Sequence, residues 1–513
     1  MNTATAFVDE ILGQARRLPH AVALMETTGR HLTYEELVRR VDGGASALHR
    51  EGFKAGDAVL FTVRPSIASI SLILAVVRAG GIVVAADPRM GAGVFESRVA
   101  LARPRWVMAD SLVYLLGAGQ PVRRLLGRRL PELVALARVP ARHVRVGPRL
   151  PGVPESLSAR TLWRATPNPN PKPTVHPDPG EPIAIVFTSG TTARPKAVVH
   201  SNASLGAALR LMQEHLVLDR RDVVFTSELH LALPALHAGS TTVIPRRGVR
   251  ARFLAAEIER HQASVAFAVP YELEGLIEWS ARTRGRLPSR LRMLLLGSAP
   301  AYSSFMRQLR PAVAATTEVW SVYAMTEMLP ACRVSMAEKL ETTGDGDLVG
   351  MPFPGVGVRI SHDGEVMLAG PNLFSGYLEE PAVTEHATGD LGRLDGDRLF
   401  LLGRRKDMLI RHGVNIYPAL VEDSVMAVPG VVRCRLVGVP GGVAGDERVV
   451  LAVEAGVGVD AIGLARSVRR SLTTGRYRID GTGLPDDIVI RRLPVDPRSR
   501  KVDTVALKRE LQR

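Results

Sequence analysis

Short apolar runs alternate with helical stretches from residue 57 to beyond residue 290, and this alternation does most to limit the fold. DAVLFTV (57–63) has the length of one buried strand. A helical run over 69–78 follows, Gly80 and Gly81 break it, and GIVVAA (81–86) supplies the next strand. Strand, helix and strand in that order predict a parallel sheet with helices packed on it. The order returns in IAIVF (183–187), a helix at 201–215, TTVIP from 241, a helix at 253–261, VAFAVP from 265 and LRMLLLGSAP from 291. Near the start, Thr33 and Glu36 in LTYEEL make a capping box, and Leu37, Val41, Ala45 and Leu48 then recur at helical spacing.

Two stretches break the pattern. PNPNPKPTVHPDPGEP, within 151–182, is proline-rich and reads as an extended connector. After about residue 349, GVGVRI, GEVMLAG and DRLFLLG alternate over short runs and predict an antiparallel β-meander. The charged turn GRRKD (403–407) reads as a hinge leading into a small tail that ends at Arg513. The expected class is therefore α/β. A large N-terminal domain (1–403) holds layered, mostly parallel sheets with helices and the meander, and a small mobile α+β domain (404–513) follows.

Composition narrows the function. At 513 residues, 46% hydrophobic and 23% charged, the chain can bury large cores. Its two cysteines, Cys332 and Cys434, have no metal-ligand spacing and fit a reducing, cytoplasmic setting. MNTATAFVDE is acidic and without a long apolar run, so no secretory leader is expected. IASISLILAVVRAGGIVVAADP, broken by Arg78 and the glycines, is too interrupted to span a bilayer. The net charge of +15 rests on arginine: of 66 Lys+Arg only seven are lysines. No nucleic-acid partner is expected from that skew. It concentrates in one leucine-rich segment carrying Arg123, Arg124, Arg128, Arg129, Arg138, Arg142, Arg145 and Arg149 against Glu132 alone. Such a basic amphipathic pattern is compatible with a peripheral membrane contact or an acidic carrier, but a solvated helix face beside the core is the favoured reading.

The chemistry starts at TSGTTARPKA, which follows the strand at 183–187 directly. Backbone N–H groups and hydroxyls of such a turn surround phosphate oxygens, and Lys196 adds a full charge. It is not a Walker loop, because proline rather than glycine precedes the lysine. TSGTTARPKAVVHSN resembles the phosphate loop of the adenylate-forming superfamily, whose usual form is T-S-G-[ST]-T-G-x-P-K-G. LTYEEL, ILAVVRAGGIVVAADP, LLLGSAP, YAMTEM, TGDLGRLDGDRLFLLGRRKDMLIRHGVNIYP and PRSRKVDTVALKREL resemble further signatures of that superfamily, in its order. Three of the seven lysines, Lys196, Lys406 and Lys501, fall where these motifs require or favour one.

The resemblance implies an acyl-CoA synthetase or fatty-acid ligase. Such an enzyme joins a carboxylate to the α-phosphate of ATP, releases pyrophosphate and passes the acyl group to a thiol. Thr188, Ser189, Gly190, Thr191, Thr192 and Lys196 would hold the β- and γ-phosphates. Gly297, Ser298, Ala299 and Tyr323 would border the adenine. Asp390 would take the ribose hydroxyls, with Arg404 beside it. Thr326 would bond the α-phosphate and Glu327 would bind Mg²⁺. Lys501 would stabilise the transferring charge. Lys406 would be the hinge, Gly413 and Asn415 would face the thiol, and His230 and Leu329 would border the acyl pocket. A packed role for His230 stays open.

Ala193, Ala197, Ala324 and Arg500 stand where the family usually has glycine. These changes stiffen or narrow a loop without removing a donor. The acceptor is expected to be coenzyme A or the phosphopantetheine arm of an acyl carrier protein, and the substrate a small-molecule carboxylic acid with a medium or long apolar body. Two alternatives stay open: an olefin β-lactone synthetase acting on a 3-hydroxy fatty acid, and a weakly catalytic scaffold that binds a partner or membrane through arginines.

Overall fold

The computed structural model describes residues 7–88, 92–118, 133–164, 179–187, 196–245, 251–342, 345–411, 414–440, 447–474, 484–496 and 501–512. Its first sheet has eight strands in the order Gly376–Tyr377, Ala197–Ser201, Pro182–Phe187, Ile82–Ala85, Ala58–Thr62, Trp106–Asp110, Arg142–Val146 and Ser156–Ser158. The last six of these run parallel, as the β-α-β alternation requires. The helix Ile67–Arg78 buries every residue but Ala68. Arg78, which interrupts the apolar run in sequence, is 8% exposed and pairs with Asp9 and, at 3.1 Å, with Asp42. A buried charge is tolerable only with such partners.

The second sheet has thirteen strands. One half is parallel and contains Val223–Phe225, Thr241–Ile244, Val265–Ala268, Met293–Leu296 and Glu318–Met325. The other half is antiparallel and contains the expected meander strands Gly357–Ile360, Glu365–Ala369, His386–Asp395 and Arg398–Arg404. The antiparallel half starts earlier than the change of texture at 349. The hairpin of Glu318–Met325 with Met328–Ser335 is already antiparallel and carries the meander on as part of the same sheet. The smaller C-terminal domain holds Val431–Pro440, Glu447–Ala455 and Asp487–Ile490, with helices Ala461–Thr474 and Thr504–Leu511. It meets the large domain where Ser304 Oγ donates to Asp423 Oδ1 at 2.9 Å. Cys332 and Cys434 are both free and buried.

The basic leucine-rich segment is corrected in part. Residues 119–132 lie outside the described residues, as does most of the proline-rich connector. From 133 on, Leu133, Val134, Leu136, Val139 and Val144 are buried in the core, and Arg142–Val146 is a parallel strand rather than a helix face. Arg142 lies over the Trp106 ring, and Arg145 donates to the Ser156 carbonyl at 2.9 Å. In this part the arginines cover the edge of a core. No described helix is long and apolar enough to cross a membrane.

Candidate active site

The site is built where the two sheets meet. Strand Glu318–Met325 carries Tyr323, and the tight hairpin after it, closed by the Met325–Met328 pair, presents Thr326 and Glu327 at its tip. The Thr326 carbonyl accepts from His200 Nε2 at 2.8 Å, and His200 belongs to the first sheet. The Glu327 carbonyl accepts the Phe374 N–H at 2.8 Å. Both bonds fix the hairpin tip against strand Ala197–Ser201 and the turn before Gly376.

Three groups gather around Glu327. Tyr377 donates its hydroxyl to Glu327 Oε1 at 2.9 Å, and the Lys196 ammonium sits 4.8 Å from the Tyr377 ring centroid. A cation over an aromatic face is attracted by the ring quadrupole. His386 closes the cluster, with its ring 5.1 Å from that of Phe374 and 6.3 Å from that of Tyr377. Burial, with Lys196 adding to it against the pull of Glu327, holds His386 below the ordinary histidine range. Lysine, carboxylate and neutral imidazole thus share one wall. Among the described residues no group of three His, Cys, Asp or Glu could hold a metal alone. A single carboxylate fits Mg²⁺ that arrives with phosphate oxygens as its other ligands.

Asp390 is the centre of a second group. It stands opposite Arg404 in the antiparallel pair of His386–Asp395 with Arg398–Arg404. Its side chain is 6% exposed, Oδ1 lies 2.6 Å from Arg404 Nε, and Oδ2 accepts the Tyr323 hydroxyl at 2.6 Å. Thr388 Oγ1 accepts the Asp390 N–H at 3.0 Å and donates to the Val366 carbonyl at 2.9 Å, which fixes the strand at that point. Desolvation raises the Asp390 pKa, against the lowering pull of Arg404 and the tyrosine bond. Lys501 comes to the same place from the small domain. Its carbonyl accepts the Asp496 N–H at 2.9 Å, and Val495 bridges Val502 around it. Desolvation and the neighbouring Arg404 guanidinium push its ammonium below the usual lysine range.

The adenine-side turn follows strand Met293–Leu296. A side chain at Gly297 would meet the Phe267 ring at 3.1 Å, so glycine lets the turn approach that ring. Ser298 takes a left-handed backbone, φ 62°, and is exposed. Phe267 in turn packs edge-on to His230, with centroids 4.8 Å apart. Burial pushes His230 down to about 4, so its imidazole is neutral. His230 is half-buried and packs edge-on to the ring that borders Gly297. Leu329 is half-buried on the strand returning from the hairpin tip.

Around Lys406 the flanks are tied to opposite sides. Arg405 pairs with Asp363 at 2.7 Å and Glu365 at 2.8 Å in the large domain, and Asp407 pairs with Arg435 at 2.9 Å in the small one. Thr188, Ser189, Gly190, Thr191, Thr192, Ala193, Gly413 and Arg500 lie outside the described residues. Asn415 is on the short strand Val414–Ile416. Ala197 is 2% exposed at the start of a strand.

Tyr377, Phe374 and His386 carry no motif of their own in the sequence and join the site only through the fold. Glu228, which precedes helix Leu229–Ala238, is likewise outside any motif; burial and the nearby Glu272 raise its pKa. A carboxylate beside HLALPAL was the available signal.

Residues 12–378 match the family model described as AMP-binding enzyme. The chain belongs to that family. It is 29% identical over 454 residues to a feruloyl-CoA synthase of an Amycolatopsis species, covering 83% of this chain and 84% of the relative. It is 27% identical to the fatty acid–[acyl-carrier-protein] ligase MmaC of Mycobacterium marinum, covering 94% and 93%. Among solved structures, the anthranilate CoA ligase AuaEII with anthranoyl-AMP has a similar fold, with TM-score 0.80, 17% identity and coverage of 99% and 98%. This AMP-binding enzyme is an acid–thiol ligase that works through an acyl adenylate.

Proposed function

We propose that the protein activates a carboxylic acid with an apolar body, in the fatty-acid class, and transfers it from AMP to coenzyme A or a carrier-bound phosphopantetheine. The observation that carries this reading is the convergence of Tyr323, Asp390, Arg404 and Lys501 from two domains. The near-buried Asp390 carboxylate is suited to accept the ribose hydroxyls, with its charge balanced by Arg404. Tyr323 lies along the adenine, beside Gly297, Ser298 and Ala299.

Lys196, with the hydroxyl-rich loop 188–192, neutralises the β- and γ-phosphates, and Thr326 bonds the α-phosphate. Glu327 would hold Mg²⁺ together with phosphate oxygens, and that ion would supply positive charge to the pyrophosphate side. The acid's carboxylate lies between Lys501 and the α-phosphate. One of its oxygens attacks phosphorus, the bond to the pyrophosphate oxygen breaks, and Lys501 stabilises the charge that is shared during transfer. The acyl body lies against His230, Phe267 and Leu329, where neutral imidazole and aromatic surface suit an uncharged chain.

Transfer then needs a thiol to reach the acyl carbon. Lys406, between its two tied flanks, is the hinge about which the small domain turns to bring Gly413 and Asn415 to the thiol. The position of Lys501 beside Arg404 suits the first half-reaction. Coverage of MmaC over nearly its whole length supports a carrier-borne acceptor, and the feruloyl-CoA synthase supports coenzyme A. Thioester formation is tested by supplying purified protein with ATP, Mg²⁺, a fatty-acid panel and either acceptor. Thioester with either supports the reading. A β-lactone from 3-hydroxy acids without any thiol, or no product at all, overturns it.

A further inference from the structure

A second feature lies at the far edge of the first sheet. Five strands lie between Ala197–Ser201 and Ser156–Ser158, so six inter-strand spacings of about 4.8 Å put the two places on the order of 29 Å apart. Directly after the edge strand, the helix Ala159–Arg164 packs on the helix Tyr34–Arg50, anchored by Ala159 and Leu162, which are 2% and 1% exposed. Each helix turns the same spacing toward the other. Glu36, Arg39 and Arg40 stand at i, i+3 and i+4, and so do Arg160, Trp163 and Arg164. These six residues line one cavity of about 290 Å³.

The charge in this cavity is unbalanced. Four guanidiniums face one carboxylate, and that carboxylate is already engaged: Glu36 Oε2 accepts the Thr33 N–H at 2.9 Å in the capping box. Among the described residues none of the four arginines forms an ion pair with a carboxylate. Elsewhere Arg78, Arg210, Arg292, Arg404, Arg405 and Arg435 all have one. Arg40 lies over the Trp163 ring at 4.8 Å, which sets its guanidinium in place. It is half-buried, while Arg39, Arg160 and Arg164 are exposed. Desolvation lowers its pKa, and Arg30 and Arg39 lower it further against the opposing pull of Glu36. Like charges gathered in a concave, partly desolvated place repel one another unless an anion joins them.

We propose that the cavity between these two helices binds a phosphate-bearing anion, held by Arg39, Arg40, Arg160 and Arg164 over the Trp163 ring. The reasons are chemical. A phosphate group brings close to two negative charges and three strong acceptor oxygens, which match several planar guanidinium forks at once. A single carboxylate would leave most of the four unmatched. The volume suits a small phosphate ester or pyrophosphate, or the headgroup of an anionic phospholipid, better than an extended chain.

The test uses the full-length protein with its four tryptophans replaced by 5-fluorotryptophan, observed by fluorine NMR. Trp163→Phe identifies the Trp163 resonance, which reports on this cavity and not on the nucleotide site. Sodium phosphate and pyrophosphate are titrated at constant ionic strength, with chloride as the control. Flotation with phosphatidic acid vesicles, against phosphatidylcholine vesicles, is the lipid arm. A saturable shift with soluble phosphate or pyrophosphate supports a free phosphate ligand. Binding to phosphatidic acid vesicles alone supports a headgroup. In either case Arg160→Gln with Arg164→Gln, both exposed and so harmless to folding, weakens binding about tenfold or more. ATP–pyrophosphate exchange stays at the wild-type level in that variant. No shift with either anion and no vesicle binding, or binding that the double variant leaves unchanged, overturns the proposal.

Discussion

Replacing Asp390 with asparagine separates a ribose-binding carboxylate from one that only ties two strands together. The wild-type side chain is 6% exposed and bonded at 2.6 Å to both Tyr323 and Arg404. Asparagine keeps the shape and one acceptor but removes the charge. Hydrogen bonds to a charged group contribute about 1.5–3 kcal/mol each. Two ribose hydroxyls that change from ionised to neutral acceptors therefore lose about 2–4 kcal/mol in all. That corresponds to a rise of about 30- to 1,000-fold in KM for ATP. Arg404, half exposed, is left to water, so folding suffers little. Tyr323→Phe removes a single bond and raises KM about three- to tenfold. Because burial raises the Asp390 pKa, ATP binding weakens as pH falls and does so above the ordinary carboxylate range. The assay is ATP–pyrophosphate exchange at varied ATP, with melting curves to confirm folding. A folded Asp390→Asn protein with KM for ATP within threefold of wild type refutes the reasoning.

Three further outcomes follow from the same geometry. Lys339 is 1% exposed and lies 2.7 Å from Asp347, so Lys339→Met leaves a buried carboxylate unpaired; urea melts are expected to lose about 3–5 kcal/mol. His230 titrates near 4 in the folded protein against about 6.5 unfolded. The folded state thus takes up its proton later, and stability drops by about 3 kcal/mol from pH 7 to pH 4. His230→Phe should remove that share of the acid loss, as denaturation at the two pH values would reveal. Lys406→Pro removes an N–H and fixes one backbone angle at the hinge. Exchange is expected to stay within a few-fold of wild type while thioester formation drops about tenfold or more, and equal loss of both would argue against a hinge.

How much of this was legible depends on how local each signal is. The strand ending at Phe187, the hairpin bearing Tyr323 and Glu327, and the Asp390 to Arg404 stretch each carry their chemistry within a few residues. The partners that complete them do not. Tyr377 reaches Glu327 from 50 positions away and has only a common Gly-Tyr pair around it. Period-two alternation marks the meander strands, yet it does not say which strand each one pairs with. The continuity of the meander with the parallel sheet therefore emerges only from register. Arg78 shows the same gap: a charge in an apolar run reads as an interruption until Asp9 and Asp42 arrive from elsewhere. The leucine-rich arginine segment misleads for a related reason. Leu136 and Val144 face two different cores that composition cannot place.

The central claim is that Lys501, delivered by the small domain to the side of Arg404, drives acyl-adenylate formation. Its most direct test is acid-dependent pyrophosphate release by the wild-type protein and by Lys501→Ala, with ATP, Mg²⁺ and a panel of fatty, 3-hydroxy fatty and aromatic acids. The account predicts release that requires the acid and drops about a hundredfold or more in the variant, with ATP still bound. Release that ignores the acid, or that Lys501→Ala leaves intact, would contradict it.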